Sequence, residues 1–190
     1  MREYDLIADR FHASRDPGIG VAEVTAFARA LGPGARVLDV GCGTGEPITT
    51  ALLAAGCRVV VVDSSREMLI RFRRHLPHVP AVRAVVEACP FRDRSFDGVV
   101  AWGVLFHLDR AGQAGAIAHV SRLLKPGSPF LFTAGDEDGE VHGEMHGVPF
   151  RYVSFSIDGY RALLRDHGLS LVEHHVDAHE NRHYLARKEP

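Results

Sequence analysis

Helix-period segments alternate with short apolar runs from residue 21 to the end of the chain, and one of those runs feeds a glycine-rich turn. The alternation predicts an α/β protein, a doubly wound and mostly parallel sheet with helices as crossovers. The last two strand-like runs are separated by roughly residues 177–182 only. A parallel crossover needs about a dozen residues, so that pair is expected to be antiparallel and to close a sheet of about seven strands.

Helices are expected over residues 2–13 and 21–31, with Asp16-Pro17-Gly18 punctuating them, and the first strand over 36–40. After the glycine turn, Pro47 sits in the first turn of a helix that carries Ile48 and Leu52 on one face and stops at Gly56. The second strand, 58–62, runs up to Asp63. Ser64, with Glu67 three residues on, has capping-box spacing, and Met68, Leu69, Phe72 and Leu76 supply the apolar face of the helix that follows. Its arginines 71, 73 and 74 lie on the opposite, solvated face. Strands at 81–86, 96–102 and 130–133, with a helix at 111–124 between the last two, complete five parallel strands. A long polar loop over 136–156, a helix at 157–167 and strands at 169–176 and 183–186 end the chain.

The decisive stretch is Val37-Leu38-Asp39-Val40-Gly41-Cys42-Gly43-Thr44-Gly45-Glu46-Pro47. Gly41, Gly43 and Gly45 have no Cβ, so a ligand can lie against bare peptide at the start of a helix, the arrangement of a nucleoside cradle. A dinucleotide fingerprint would place its third glycine at position 46, where this chain has a glutamate that would face a pyrophosphate. About 20 residues on, Asp63 can accept from both hydroxyls of a ribose and would repel a 2′-phosphate.

With these residues in view, the chain resembles the class I S-adenosylmethionine-dependent methyltransferases. The ordered motifs are Val-Leu-Asp-Val-Gly-Cys-Gly-Thr-Gly, then Val-Asp-Ser-Ser-x-x-Met-Leu, then Pro-Phe-x-x-x-Ser-Phe-Asp, then Arg-Leu-Leu-Lys-Pro-Gly. The resemblance implies the Rossmann-like fold of that family, with S-adenosylmethionine as cofactor and S-adenosylhomocysteine as product. It implies cofactor contacts at Asp39, Gly41, Cys42, Gly43, Asp63, Ser64, Met68, Val86, Glu87, Ala101 and Trp102. Val85 departs from the family, standing where many members carry an aspartate for the adenine amino group; Glu87 or the Val86 N–H would have to serve instead. The amino-methylating Asp/Asn-Pro-Pro-Tyr/Phe motif of nucleic-acid enzymes is absent after the fourth strand.

His107 follows the fourth strand and is the general-base candidate, since imidazole titrates near neutrality. Tyr4 and Phe11 belong to an N-terminal segment, 1–31, which the resemblance implies folds over the cofactor as a lid. In the 136–156 loop, His142, His146, Phe150 and Tyr152 are available to face an acceptor. The two histidines have zinc spacing only on a helix, which glycines 139, 143 and 147 oppose, so no metal is expected.

At 190 residues and 46% hydrophobic content, one domain over 1–190 accounts for the chain. A net charge of −2 gives no general attraction to nucleic acid or anionic membranes, which points to a small-molecule acceptor. No apolar run approaches a membrane span or a signal h-region, so a cytoplasmic protein is expected, as monomer or homodimer. Cys42, Cys57 and Cys89 form no C-x-x-C pair and read as packing residues.

Overall fold

The computed structural model describes residues 3–190. Its helices are α1 (Glu3–Ser14), α2 (Val21–Leu31), α3 (Ile48–Ala54), α4 (Arg66–His75), α5 (Arg110–Leu123) and α6 (Ile157–Asp166). The strands are β1 (Arg36–Val40), β2 (Arg58–Asp63), β3 (Ala81–Arg83), β4 (Gly98–Ala101), β5 (Pro129–Thr133), β6 (Gly139–Met145), β7 (Val148–Ser154), β8 (Leu169–Val176) and β9 (Arg182–Lys188). Arg2, the expected first residue of the first helix, lies outside the described residues.

Seven strands form one sheet in the order β3-β2-β1-β4-β5-β9-β8. The five N-terminal strands pair in parallel. β9 runs antiparallel to both β5 and β8, as its short link to β8 requires. Alternate residues of each central strand enter different cores. Val37, Val59, Val61 and Val100 pack with α2, α3 and α4, whereas Leu38, Val62, Val99 and Ala101 pack with α5 and α6. Strand order reverses between β1 and β4, so the crevice beyond their C-terminal ends is the natural ligand position of such a sheet.

Two local expectations are corrected. Ser65, not Ser64, caps α4: its Oγ accepts from the Met68 N–H at 3.1 Å. The cap slips by one because Asp63 Oδ1 takes the Ser65 N–H, and Asp5 of α1 takes both the Ser65 hydroxyl and the Glu67 N–H. Second, the 136–156 loop is largely a hairpin, β6–β7, in which Met145 pairs with Val148 across His146 and Gly147. Both turn residues have positive φ, 54° and 81°, the geometry that matches the twist of a two-residue hairpin. The six residues before Met145 in β6 are exposed, and this polarity concealed the strand in the sequence.

Among the described residues no helix is long and apolar enough to cross a membrane.

Candidate functional site

The C-terminal ends of β1, β2 and β4 open into a cavity of about 400 Å³, within the usual range for small-molecule sites. α1 crosses it. Asp5 holds the start of α4, Asp9 pairs with Arg71 at 2.7 Å, and His12 Nδ1 meets Thr44 Oγ1 at 3.1 Å.

One end of the cavity is the glycine turn. Gly41 has φ +68°, and a Cβ there would stand 2.2 Å from Val104 Cγ2. Gly43 has φ +56° with open space where a side chain would go, so its peptide face is accessible to a ligand. Asp63 fixes the turn to the neighbouring strand: one carboxylate oxygen accepts the Gly43 N–H and the other the Ser65 N–H, both at 2.8 Å. Asp39, 1% exposed, accepts the Thr49 hydroxyl at 2.5 Å. Burial pushes the Asp39 carboxyl up to about 7, with the Thr49 hydrogen bond opposing and the Asp63 charge adding. Burial also raises Asp63, against the two backbone N–H groups that favour its charge.

Arg15 lies in the same wall and was not singled out from the sequence, because it sits in the turn region after α1 where no motif surrounds it. Its guanidinium stands 5.0 Å over the Phe11 ring and has no ion-pair partner among the described residues. Burial lowers its pKa, with Tyr4 and Asp39 opposing that shift.

The wall continues through Met68, Val85, Val86 and Glu87. Val85 is 50% exposed although apolar. Glu87 Oε2 is buried with no hydrogen-bond partner among the described residues. A buried carboxylate oxygen without a donor is costly, and a ligand N–H would satisfy it.

The other end is aromatic. The Tyr4 hydroxyl meets His107 Nε2 at 2.9 Å, linking α1 to the turn after β4. Tyr4 packs edge-on against Phe11, His107 and Phe150, with ring centroids 5.3, 5.4 and 5.2 Å away. Tyr152 and Phe106 face the imidazole at 5.2 and 4.7 Å. Burial pulls the His107 imidazole down to about 4, so it is neutral at physiological pH.

The cavity thus gathers Asp39, Gly41, Cys42, Gly43, Asp63, Ser64, Met68, Val86, Glu87, Trp102, His107, Tyr4, Phe11 and Tyr152. Three candidates lie elsewhere. Ala101 is fully buried in the sheet, on the face packed by α5. His142 is exposed on β6 beside Glu140, and His146 is on the hairpin tip, where its Nε2 meets Ser14 Oγ at 3.0 Å. Pairing of β6 with β7 turns His142 outward, a consequence of the strand that the sequence concealed. Phe106, Met145 and Thr133 line the cavity without having been anticipated.

A family model described as a methyltransferase domain matches residues 37–127, the stretch that carries the turn, Asp63, Glu87 and His107. An uncharacterized methyltransferase of Mycobacterium tuberculosis is 41% identical over 92 residues, 48% of this chain and 36% of that protein. The 1,6-didemethyltoxoflavin-N1-methyltransferase of Burkholderia thailandensis, solved with 1,6-didemethyltoxoflavin and S-adenosylhomocysteine, superposes with TM-score 0.74 at 25% identity, covering 100% of this chain and 88% of that one. Residues 37–127 thus match a methyltransferase domain, and the whole chain has the fold of the class I S-adenosylmethionine-dependent methyltransferases. The CcbJ methyltransferase of Streptomyces caelestis shares the fold, at TM-score 0.82 and 21% identity, covering 99% of this chain and 98% of that one. The chain spans about a third to a half of the length of the first curated methyltransferases it matches.

Within this cavity Cys42 is not a nucleophile in waiting. Burial, reinforced by the charges of Asp63 and Asp39, raises its thiol well above the ordinary value, so it stays protonated. Trp102 is 4% exposed and is clamped by Gly20, whose absent Cβ would otherwise stand 2.5 Å from the indole. It is therefore both a core residue and part of the cavity floor.

Proposed function

We propose that the protein transfers a methyl group from S-adenosylmethionine to an oxygen, nitrogen or sulfur atom of a small-molecule acceptor by in-line displacement. The observation that carries this reading is the charge pattern of the glycine-turn end. The buried carboxylate of Asp39, the half-buried one of Asp63 and the guanidinium of Arg15, which has no ion-pair partner among the described residues, line it. The cofactor carries an ammonium, a sulfonium and one carboxylate, the complementary set. Asp39 would take the ammonium, Arg15 the carboxylate and Asp63 the ribose hydroxyls, while Gly43 leaves room for the chain between them. Met68, Val85 and Val86 would pack the adenine, whose amino group would donate to the orphan Oε2 of Glu87. The Burkholderia relative binds S-adenosylhomocysteine together with its small acceptor, which supports the same use of this cavity.

When bound, the cofactor supplies a methyl group already activated by sulfonium, so the protein needs chiefly to orient and desolvate. Such positioning supplies ~7–11 kcal/mol in favourable cases. α1 and residues 136–156 would act as a lid and acceptor-binding part of one domain over residues 1–190, with Tyr4, Phe11 and Tyr152 toward the acceptor. With a net charge of −2, neither nucleic acid nor membrane is drawn to the chain, and we infer a cytoplasmic enzyme.

A nicotinamide-linked oxidoreductase is the rival, disfavoured by Glu46 at the third glycine position and by the antiparallel β9. Calorimetry separates the two. S-adenosylhomocysteine should bind with a clear heat while NAD gives none; the opposite pattern would refute methyl transfer. A domain that binds the cofactor without catalysis would bind it and yet methylate nothing across a broad acceptor panel.

A further inference from the structure

The acceptor end of the cavity holds a polar pair set into an otherwise aromatic wall. Tyr4 Oη and His107 Nε2 are 2.9 Å apart, and both residues line the cavity. Three rings fix the Tyr4 side chain from its edges, so the position of its hydroxyl is determined by packing and not by a flexible stem. Around the pair, Phe106, Met145 and Tyr152 present apolar surface to the cavity.

Equally informative is the absence of a carboxylate bonded to this pair among the described residues. Three acids of the cavity wall are engaged elsewhere: Asp39 with Thr49, Asp63 with two backbone N–H groups, Glu46 with His75 at 2.7 Å. Glu87 packs beside Gly112 and Gly115 of α5. An aliphatic amine arrives as an ammonium, which needs a carboxylate to hold its charge as well as a base to free its lone pair. A hydroxyl arrives neutral and needs no such carboxylate, only a group to take the proton its oxygen gives up as it accepts the methyl group. Two neutral groups already joined by a hydrogen bond are suited to receive that proton.

On this basis, and resting on the methyl-transfer reading above, we propose that the acceptor is a hydroxyl-bearing aromatic ring. Tyr4 accepts the hydroxyl proton while passing its own to His107. The acceptor oxygen forms the new bond to the methyl carbon, the electrons of the broken carbon–sulfur bond stay on sulfur, and the acceptor proton moves to Tyr4 Oη as the Tyr4 proton moves to Nε2. The products are an aryl methyl ether, a neutral thioether and an imidazolium that later loses its proton to water. Tyr4 touches the acceptor; His107 acts through it.

The groups facing the imidazole are consistent with this role. Tyr4 and Glu3 approach from α1, Tyr152 and the Arg151 backbone from β7, and Phe106 from its own turn. Burial lowers His107 to about 4, with Glu3 opposing, so the imidazole is empty of its second proton across the neutral range. Tyr4, raised by burial, remains protonated and has a proton to pass on.

The test uses the whole protein saturated with S-adenosylhomocysteine, whose binding is first measured by calorimetry. Absorbance titrations with 4-nitrophenol and nitrobenzene then compare a ring with and without the hydroxyl. The loaded protein should prefer 4-nitrophenol about tenfold, the worth of one neutral hydrogen bond, and Tyr4→Phe should erase that preference while leaving S-adenosylhomocysteine and nitrobenzene binding unchanged. His107→Gln, which keeps an acceptor for the Tyr4 hydroxyl, should bind 4-nitrophenol normally. With S-adenosylmethionine it should methylate the phenol at least about a hundredfold more slowly. The proposal is overturned if neither ring binds, if the preference is missing or survives in Tyr4→Phe, if His107→Gln turns over at the full rate, or if 4-nitroaniline is methylated faster than the phenol. Loss of S-adenosylhomocysteine binding in the unaltered protein would instead remove the methyl-transfer reading itself.

Discussion

At one end of the cavity, Asp39, Gly43 and Asp63 stand at the tips of two adjacent parallel strands and are held by backbone N–H groups and by Thr49. At the other end, Tyr4, His107 and Tyr152 come from a terminal helix, a turn after β4 and the second strand of a hairpin, and are held by one another's rings. The first end is rigid because neighbouring sheet bonds define it, and its charges are prepositioned. The second is defined only when three distant segments dock. A nucleoside of fixed shape suits the first, whereas the second can change with the acceptor and leave the sheet untouched.

The largest expected effect lies in the prepositioned charges. A shift of the Asp39 carboxyl from 3.8 to about 7 corresponds to an upper bound of about 4 kcal/mol. Because the folded pKa is raised, this stabilisation is fully present below the unfolded value near 4 and is lost as pH rises through about 7. Asp39→Asn removes the titrating group. Without ligand, the variant should resist urea better than the unaltered protein at pH 8, with the advantage closing toward pH 4, and should bind S-adenosylhomocysteine more weakly at pH 8. Parallel stability profiles for the two proteins would show that Asp39 bears no such burden.

Asp63→Ala should follow in size. It leaves the Gly43 and Ser65 N–H groups without their partner and removes the proposed acceptor for the ribose hydroxyls, at ~1–3 kcal/mol in cofactor binding. Calorimetry with S-adenosylhomocysteine decides this, and unchanged affinity would refute the ribose assignment.

The difference between the ends also explains what could be read from the sequence. Gly41 to Gly45, Asp63 and Met68 follow each other within two βα units, so spacing alone placed them on strand tips and helix starts. β9 was legible as antiparallel because its link is too short for a crossover. The acceptor end had no comparable local signal. The Tyr4–His107 bond joins residues 103 positions apart, and Arg15 enters the cavity only because α1 ends beside it. His142 and His146 lie outside the cavity lining for the same reason. Their side chains depend on a β6–β7 pairing that exposed, polar residues did not announce. Glu87, by contrast, was found by looking for a replacement where Val85 breaks the family pattern, and it lies in the wall with an unsatisfied oxygen.

Gly41 tests whether the two ends are coupled. Gly41→Ala places a side chain at φ +68°, costing ~1–2 kcal/mol, and drives its Cβ into Val104, the residue before the turn that carries His107. Unfolding measurements on Gly41→Ala, Val104→Ala and the double variant should give a double-variant loss smaller than the sum of the two single losses. Simple additivity would mean that the turn and the acceptor end respond independently.

The smallest effect should come from the clasp over the acceptor end. Arg10 Nη1 donates to the His146 carbonyl at 2.8 Å, and Ser14 meets the same residue's imidazole, so α1 and the hairpin tip are joined outside the cavity. Both contacts are exposed to solvent, where such bonds contribute ~0–1 kcal/mol, and Arg10→Ala should scarcely alter global unfolding. Local opening is a different quantity. With one tie cut, amide hydrogens across β6 and β7 should exchange about two- to fivefold faster while those of β1 and β2 keep their protection, because only the docked segments depend on the clasp. Equal exchange throughout would place the order of the acceptor end in its aromatic packing alone, since Tyr4 would then hold the hairpin through Phe150 without help from the surface.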